Sequence, residues 1–236
     1  MLFKNLSQDA KRRLAIIAGV ILLIIGLLLI NVHHIENWAI RAYQPRIDRQ
    51  AVNQAKHRQG SFDYKDTKSL SAMDIVKARR HAKDLPVVGA MAVPQANVYL
   101  PIAKGVSNNV LALAAGTMEP NQKMGQGNYA LAGHNMSNLD PNVLFSPLFY
   151  NGKAGQHVYL TDFKHIYDYQ LTSRTTISAK DVAVLNQTIN PTITLITCNA
   201  TGSMRVSFKG DLKKTYSYQH APQHIKKLFN HKYNQK

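Results

Sequence analysis

The chain has 236 residues, 45% of them hydrophobic and only 18% charged: enough apolar material for one domain with a core, and too much for a disordered chain. Lys and Arg (29) outnumber Asp and Glu (13), and the resulting +16 is shared evenly by residues 1–84 and 85–236. Such a diffuse positive field suits nucleic acid, anionic lipid or an anionic cell wall. The single cysteine excludes an internal disulfide framework and a multi-cysteine zinc or iron–sulfur site.

Residues 14–30, LAIIAGVILLIIGLLLI, carry no charge. As a helix this run spans roughly 25 Å, close to a bilayer's hydrocarbon thickness. Lys4, Lys11, Arg12 and Arg13 precede it, and Asn31, Val32, His33 and His34 follow. The flanks put the amino terminus inside, and Arg41, Arg46 and Arg49 soften that asymmetry without reversing it. A cleavable signal peptide is the main rival, but the run is longer than a typical signal core, and NVHHIENWAI offers no small-x-small cleavage site. A buried core helix is disfavoured because the run has no polar face to show water. The expectation is a single-pass signal anchor at residues 14–32 of the cell membrane, with residues 1–13 cytoplasmic and the rest extracellular. Membrane lipid is then a partner, and nucleic acid is not.

Residues 33–85 are polar and basic, with sparse apolar positions. They read as an extracellular linker, with one helix docking through Met73, Val76 and Arg80 on a shared face. From Pro86 the texture changes. VVGAMAV, NVYLPI, NYALAGHN, QHVYLTDF, HIYDYQLTS, TITLITC and MRVSFKGDL are short, rich in Val, Ile, Thr and Tyr, and bounded by turn formers. YLTDF, Lys164 and HIYDYQLTS suggest a hairpin. Seven or eight strands in residues 86–236 indicate an all-β sandwich or closed barrel. A terminal helix is expected at 221–229, where Ile225, Leu228 and Phe229 share a face.

Cys198 ends the strand TITLITC, with Thr194 and Ile196 on the same side as the sulfur and Ile193 and Leu195 on the other. A lone cysteine is more often a small buried apolar residue than a nucleophile. Here it ends a strand before the turn-forming NATGS, and an unpaired thiol in an exported chain invites a chemical reason. A thiol nucleophile needs a base or cation beside it, because its unperturbed pKa of about 8.5 leaves little thiolate at neutral pH. Of ten histidines, His134 stands apart, leaving a strand after a glycine and entering a loop. Arg205, seven residues after Cys198, returns on the next strand and can flank the sulfur. Its fixed charge would suit a carbonyl oxygen or oxyanion, although by count alone it is one solvated arginine among many.

TLITC, an arginine on the next strand and an upstream strand ending in Gly-His together resemble the sortase family, whose catalytic strand reads TLxTC. RVSFKGDLKKT and LPIAKGVSNNVLALAAGTM resemble class A members over roughly residues 86–236, and the amino-terminal anchor fits the same plan. The resemblance implies a closed β-barrel of about eight strands with short helices, preceded by a transmembrane helix and a linker. It assigns Cys198 as nucleophile, His134 as catalytic histidine and Arg205 as third member, while Asn135, after the histidine, receives no role. Ile196 would line the substrate groove, Val182, Val184 and Leu185 would supply a pocket for the signal's leucine, and Thr197 would help position Arg205 or substrate. The implied reaction is transpeptidation: cleavage of an LPxTG-like sorting signal between Thr and Gly through a thioester, then transfer of the surface protein to the amine of a peptidoglycan precursor of the lipid II type. A cysteine, a histidine and a fixed cation suffice for acyl transfer without metal or organic cofactor. Some class A members bind calcium through acidic side chains near the groove, but the acidic residues after position 85 are scattered and offer no evident calcium site.

Two rivals follow from the same residues. One is a membrane-tethered wall-binding module whose charge grips anionic polymers while Cys198 is merely buried. The other is a different wall-directed cysteine peptidase. A papain-like enzyme places its cysteine at a helix start, and L,D-transpeptidases carry a Ser-His-Gly-Cys type motif that this sequence lacks.

Overall fold

The structure, a computed structural model, describes residues 7–55, 57–64 and 70–234. Lys4 of the basic flank and residues 65–69 of the expected linker lie outside the described residues.

Helix α1 (Gln8–Ile30) starts ahead of the apolar run and takes Lys11, Arg12 and Arg13 into its first turns. Ser7 caps it by accepting from the Ala10 N–H, and Asp9 sits favourably in the first turn. None of its residues is buried against the protein, and it is long and apolar enough to cross a membrane. Asn31 ends it, donating from its backbone and side chain to Leu27 O, and α2 (Val32–Arg41) begins at once.

The segment expected as a linker forms three helices: α2, α3 (Arg49–Ala55) and α4 (Ala72–Arg80). Several of their apolar side chains are buried, while Trp38 stays 69% exposed. Ala39, Ile40 and Ile75 join the main core, while Tyr43 and Ala78 pack with Leu85, Val110 and Leu113. A capping box between Ser71 and Asp74 starts α4. The docking face of α4 differs from expectation: Met73 is 73% exposed, whereas Ile75 and Ala78 are fully buried. The reason is local shape, because Ile75 and the small Ala78 let the helix sit close, and the longer Met73 is left to solvent.

Eight strands close a barrel in the order β1-β2-β3-β4-β7-β8-β6-β5. They are β1 (Val87–Val93), β2 (Val98–Ala103), β3 (Ala115–Thr117), β4 (Asn128–Ala132), β5 (His157–Thr161), β6 (His165–Ser178), β7 (Thr192–Cys198) and β8 (Met204–Ser217). Closure removes the sheet edges that an open β-sheet would expose. Strand β3 is the one that the pattern AGT does not announce, being too short to show alternation. Short helices α5 (Asn108–Leu111) and α6 (Ser146–Asn151) fill connections. The terminal helix α7 (Gln223–Lys227) is shorter than expected and continues as a 3₁₀ turn, burying Ile225 and Phe229. The β5–β6 hairpin forms where expected, with Phe163 at positive φ and the Asp162 carboxylate accepting from the Lys164 and His165 N–H groups. Inside the barrel, Met91, Leu100, Leu131, Leu160, Tyr169, Leu195 and Phe208 build the core.

Two pairings are parallel, β2 with β3 and β4 with β7. The second matters for the site, because two parallel neighbours present their carboxyl ends on the same rim of the barrel.

Candidate active site

Along β7, Ile193 and Leu195 join the barrel core, while Ile196 packs on the other side with Val106, Leu111, Met118 and Leu185. Cys198 follows on the Ile196 side, half-buried at the strand's end with a free thiol. Each neighbouring strand then delivers one further polar group.

On one side, β4 runs parallel to β7 with Ala132 opposite Ile196, and Gly133 N–H donates to Ile196 O at 3.0 Å. Two residues beyond that pair on both strands stand His134 and Cys198, so the register brings them level. Gly133 is required there: a Cβ would come within 2.5 Å of the Phe145 ring. Phe145 N–H in turn donates to His134 O at 3.0 Å. Asn135 fixes the loop to the nucleophile strand by donating from Nδ2 to Cys198 O at 3.0 Å, while its Oδ1 accepts from Ser137 N–H.

On the other side, antiparallel β8 places Arg205 directly opposite Cys198. Cβ atoms of such a pair are about 4.5–5.5 Å apart. The guanidinium is held by the β7–β8 turn, Nη1 donating to Gly202 O at 2.9 Å and Met204 O at 3.3 Å. Gly202 has φ +75°, which lets the turn close.

His134 is 8% exposed, and its Nε2 has no hydrogen-bond partner. Burial, reinforced by the Arg205 charge, lowers its pKa from 6.5 to about 4. The resting imidazole is therefore neutral at pH 7, able to accept a proton and then return it.

Cys198, His134 and Arg205 line one cavity of about 250 Å³, together with Ile196, Thr197, Val182, Val184 and Leu185. Val182 stands at the rim, largely exposed, while Leu185 and Ile196 are buried in an apolar wall. Thr197 is different: it pairs with Val206 and alternates to the face opposite Cys198, and its buried hydroxyl has no partner. Among the described residues no hydrogen bond joins it to Arg205, the residue that, with substrate, it was expected to help position. A larger cleft of about 830 Å³, lined in part by Arg58, Lys104 and Glu119, contains none of the three central side chains.

Comparison with known proteins decides the family. Residues 91–213 match the sortase domain family model. The chain is 37% identical to sortase A of Streptococcus agalactiae over 227 residues, covering 92% of this chain and 91% of that protein. The chain belongs to the sortase family. Sortase A of Listeria monocytogenes is 35% identical over 204 residues, covering 84% of this chain and 90% of that one. The solved structure of Listeria monocytogenes sortase A superposes with a TM-score of 0.56 at 39% identity, covering 62% of this chain and 99% of that one. Sortase C-3 of Streptococcus pneumoniae, at 17% identity and a TM-score of 0.55, shares the fold. These relationships place the chain in class A, among cysteine transpeptidases.

Sequence reading missed two polar features of this sortase site. Tyr64 lies in a stretch read as linker, yet its ring lines the cavity and its hydroxyl donates to Met118 O. Nothing in its polar neighbourhood signals this. Asn135 was visible beside His134, but its bond to Cys198 O depends on strand register and has no local signature.

Proposed function

We propose that this sortase cleaves an LPxTG-like sorting signal between Thr and Gly and transfers the surface protein to the amine of a lipid II-type peptidoglycan precursor. The observation carrying this reading is the flanking of Cys198 by His134 from the parallel neighbour and Arg205 from the antiparallel one, on the wall of an apolar cavity. Neutral His134 takes the Cys198 thiol proton as the sulfur attacks the Thr carbonyl carbon. The tetrahedral oxyanion is stabilised by the Arg205 guanidinium. Collapse forms the thioester and breaks the Thr–Gly bond, and the imidazolium gives its proton to the departing Gly amine. The acceptor amine then attacks the thioester and passes its proton to His134. That proton returns to the sulfur as the new peptide bond forms.

Ile196, Val184 and Leu185 form the apolar wall for the signal's leucine, and Val182 guards its rim. No metal or organic cofactor enters these steps. The apolar segment at residues 14–32, helical in α1 as far as Ile30, anchors the enzyme in the cell membrane as a single pass, with residues 1–13 cytoplasmic and the barrel outside, where its substrates are.

Mass spectrometry of the protein incubated with an LPxTG peptide tests the proposal. The expected result is an acyl adduct on Cys198, absent from Cys198→Ala and discharged by an added amine. Absence of any adduct, with slow thiol labelling that the peptide leaves unchanged, would favour the wall-binding alternative.

A further inference from the structure

The loop that carries His134 is tied to the helix next to the membrane anchor. Arg41, the last residue of α2, reaches Asp140 Oδ2 with two donors, Nε at 3.1 Å and Nη2 at 2.5 Å. Its Nε is also shared with Asn37 Oδ1, one turn earlier on the same helix. The Asp140 side chain is 7% exposed, and its other oxygen is occupied by the Asn142 backbone and side-chain amides. Asp140 N–H donates to Met136 O, which closes the turn leading back to Asn135. Asn135 bridges to Leu144 and bonds Cys198 O, and His134 O is held by Phe145 N–H. The contact therefore runs from α2 through Asp140 to both ends of the loop bearing the histidine.

We propose that Arg41 and Asp140 form a positioning pair that couples the juxtamembrane helix to the placement of His134 beside Cys198. The inference rests on the catalytic reading above and adds residues outside the cavity: neither Arg41 nor Asp140 lines it. Two features support a positioning role over a passive ion pair. Without its cation the buried carboxylate keeps the Asn142 amides on one oxygen but loses both Arg41 donors from Oδ2, which favours rearrangement of the loop around it. The loop is also bonded at both ends, to Ile196 O and Cys198 O on one side and by Phe145 N–H on the other. A rearrangement at Asp140 therefore reaches His134, where misplacement by about 1 Å can cost up to roughly 10²-fold in rate. Because α2 follows α1 after Asn31 alone, a single residue separates the apolar helix from the helix that holds the catalytic loop.

The test uses the full chain in lipid nanodiscs, with Arg41→Ala, Arg41→Lys and Asp140→Asn, steady-state cleavage of an LPxTG peptide, and amide hydrogen exchange. The expected result for Arg41→Ala and Asp140→Asn is a roughly tenfold lower kcat with KM within twofold, since the peptide's apolar wall is untouched. Exchange should accelerate across residues 133–145 while β6 and β8 keep their protection. Arg41→Lys should recover part of the rate. The inference is overturned if Arg41→Ala and Asp140→Asn keep kcat within twofold of wild type. It is equally overturned if exchange accelerates uniformly over the barrel, because the pair would then serve only global stability. If the wild type itself forms no Cys198 adduct, the functional reading fails separately, and exchange in residues 133–145 still decides whether the pair holds the loop.

Discussion

Asn135 donates its side-chain amide to the backbone carbonyl of Cys198, across the gap between the β4 exit loop and the end of β7. This bond joins the residue after the proposed base to the proposed nucleophile itself, and keeps the two strand ends from separating. Asn135→Ala is expected to lower kcat/KM by roughly fivefold, since loss of one positioning hydrogen bond typically costs about 1 kcal/mol. Steady-state cleavage of a fluorogenic sorting-signal peptide measures it. Unchanged kinetics would make the bond incidental.

Arg205→Lys keeps the charge but loses the planar fork. Arg205 Nη1 alone holds Gly202 O and Met204 O, leaving the other guanidinium donors in the same rigid plane for an oxyanion, an arrangement that the single nitrogen of lysine does not reproduce. A fall in kcat/KM of the order of 10²-fold is expected, by analogy with removal of an oxyanion donor. Near-normal rates would mean that Arg205 contributes only general field.

The buried His134 makes stability depend on pH. Its folded pKa of about 4 lies below the unfolded value of 6.5, so the unfolded chain takes up the proton first as pH falls. Its contribution is complete above about pH 6.5 and is lost progressively down to about pH 4. Between pH 7 and pH 4.5 wild type should lose roughly 2–3 kcal/mol that His134→Gln does not. Urea unfolding of both proteins at the two pH values gives the comparison, and parallel losses would show that His134 is solvated.

The helices before the barrel belong to its packing. A chain beginning at residue 32 should unfold with the stability of the full-length protein, because α1 buries nothing against the rest. A chain beginning at residue 86 removes Ile40, Tyr43, Ile75 and Ala78 from the core and should be strongly destabilised. The single change Ile75→Ala should cost about 2–5 kcal/mol in chemical denaturation. Full stability of the residue-86 chain would make these helices dispensable.

Calcium should not be needed. Of the acidic residues in the barrel, Asp140 is committed to Arg41, Asp168 to His157 at 2.6 Å, and Asp162 to two backbone amides of its turn. A calcium ion wants six to eight converging oxygens. Cleavage rates should be equal in EGTA and in calcium. A loss with EGTA that calcium restores would overturn this.

By itself the sequence made legible the strand-rich domain, the long apolar helix and the lone cysteine at a strand end. Each of these is local: alternation in TITLITC, an unbroken apolar run at residues 14–30, and a lone cysteine at a strand end all survive without knowledge of neighbours. The tertiary structure decided what depends on register. Parallel pairing of β4 with β7 sets His134 level with Cys198, and nothing in NYALAGHN states which strand it will adjoin. Strand β3, three residues long, is a strand only because β2 and β4 flank it. The docking face of α4 was likewise settled by what it packs against, since a weakly apolar helix presents several faces of similar merit and the barrel selects the one that fits. Arg41 and Asp140 lie 99 positions apart, and only the closed barrel with its amino-terminal helices brings them together.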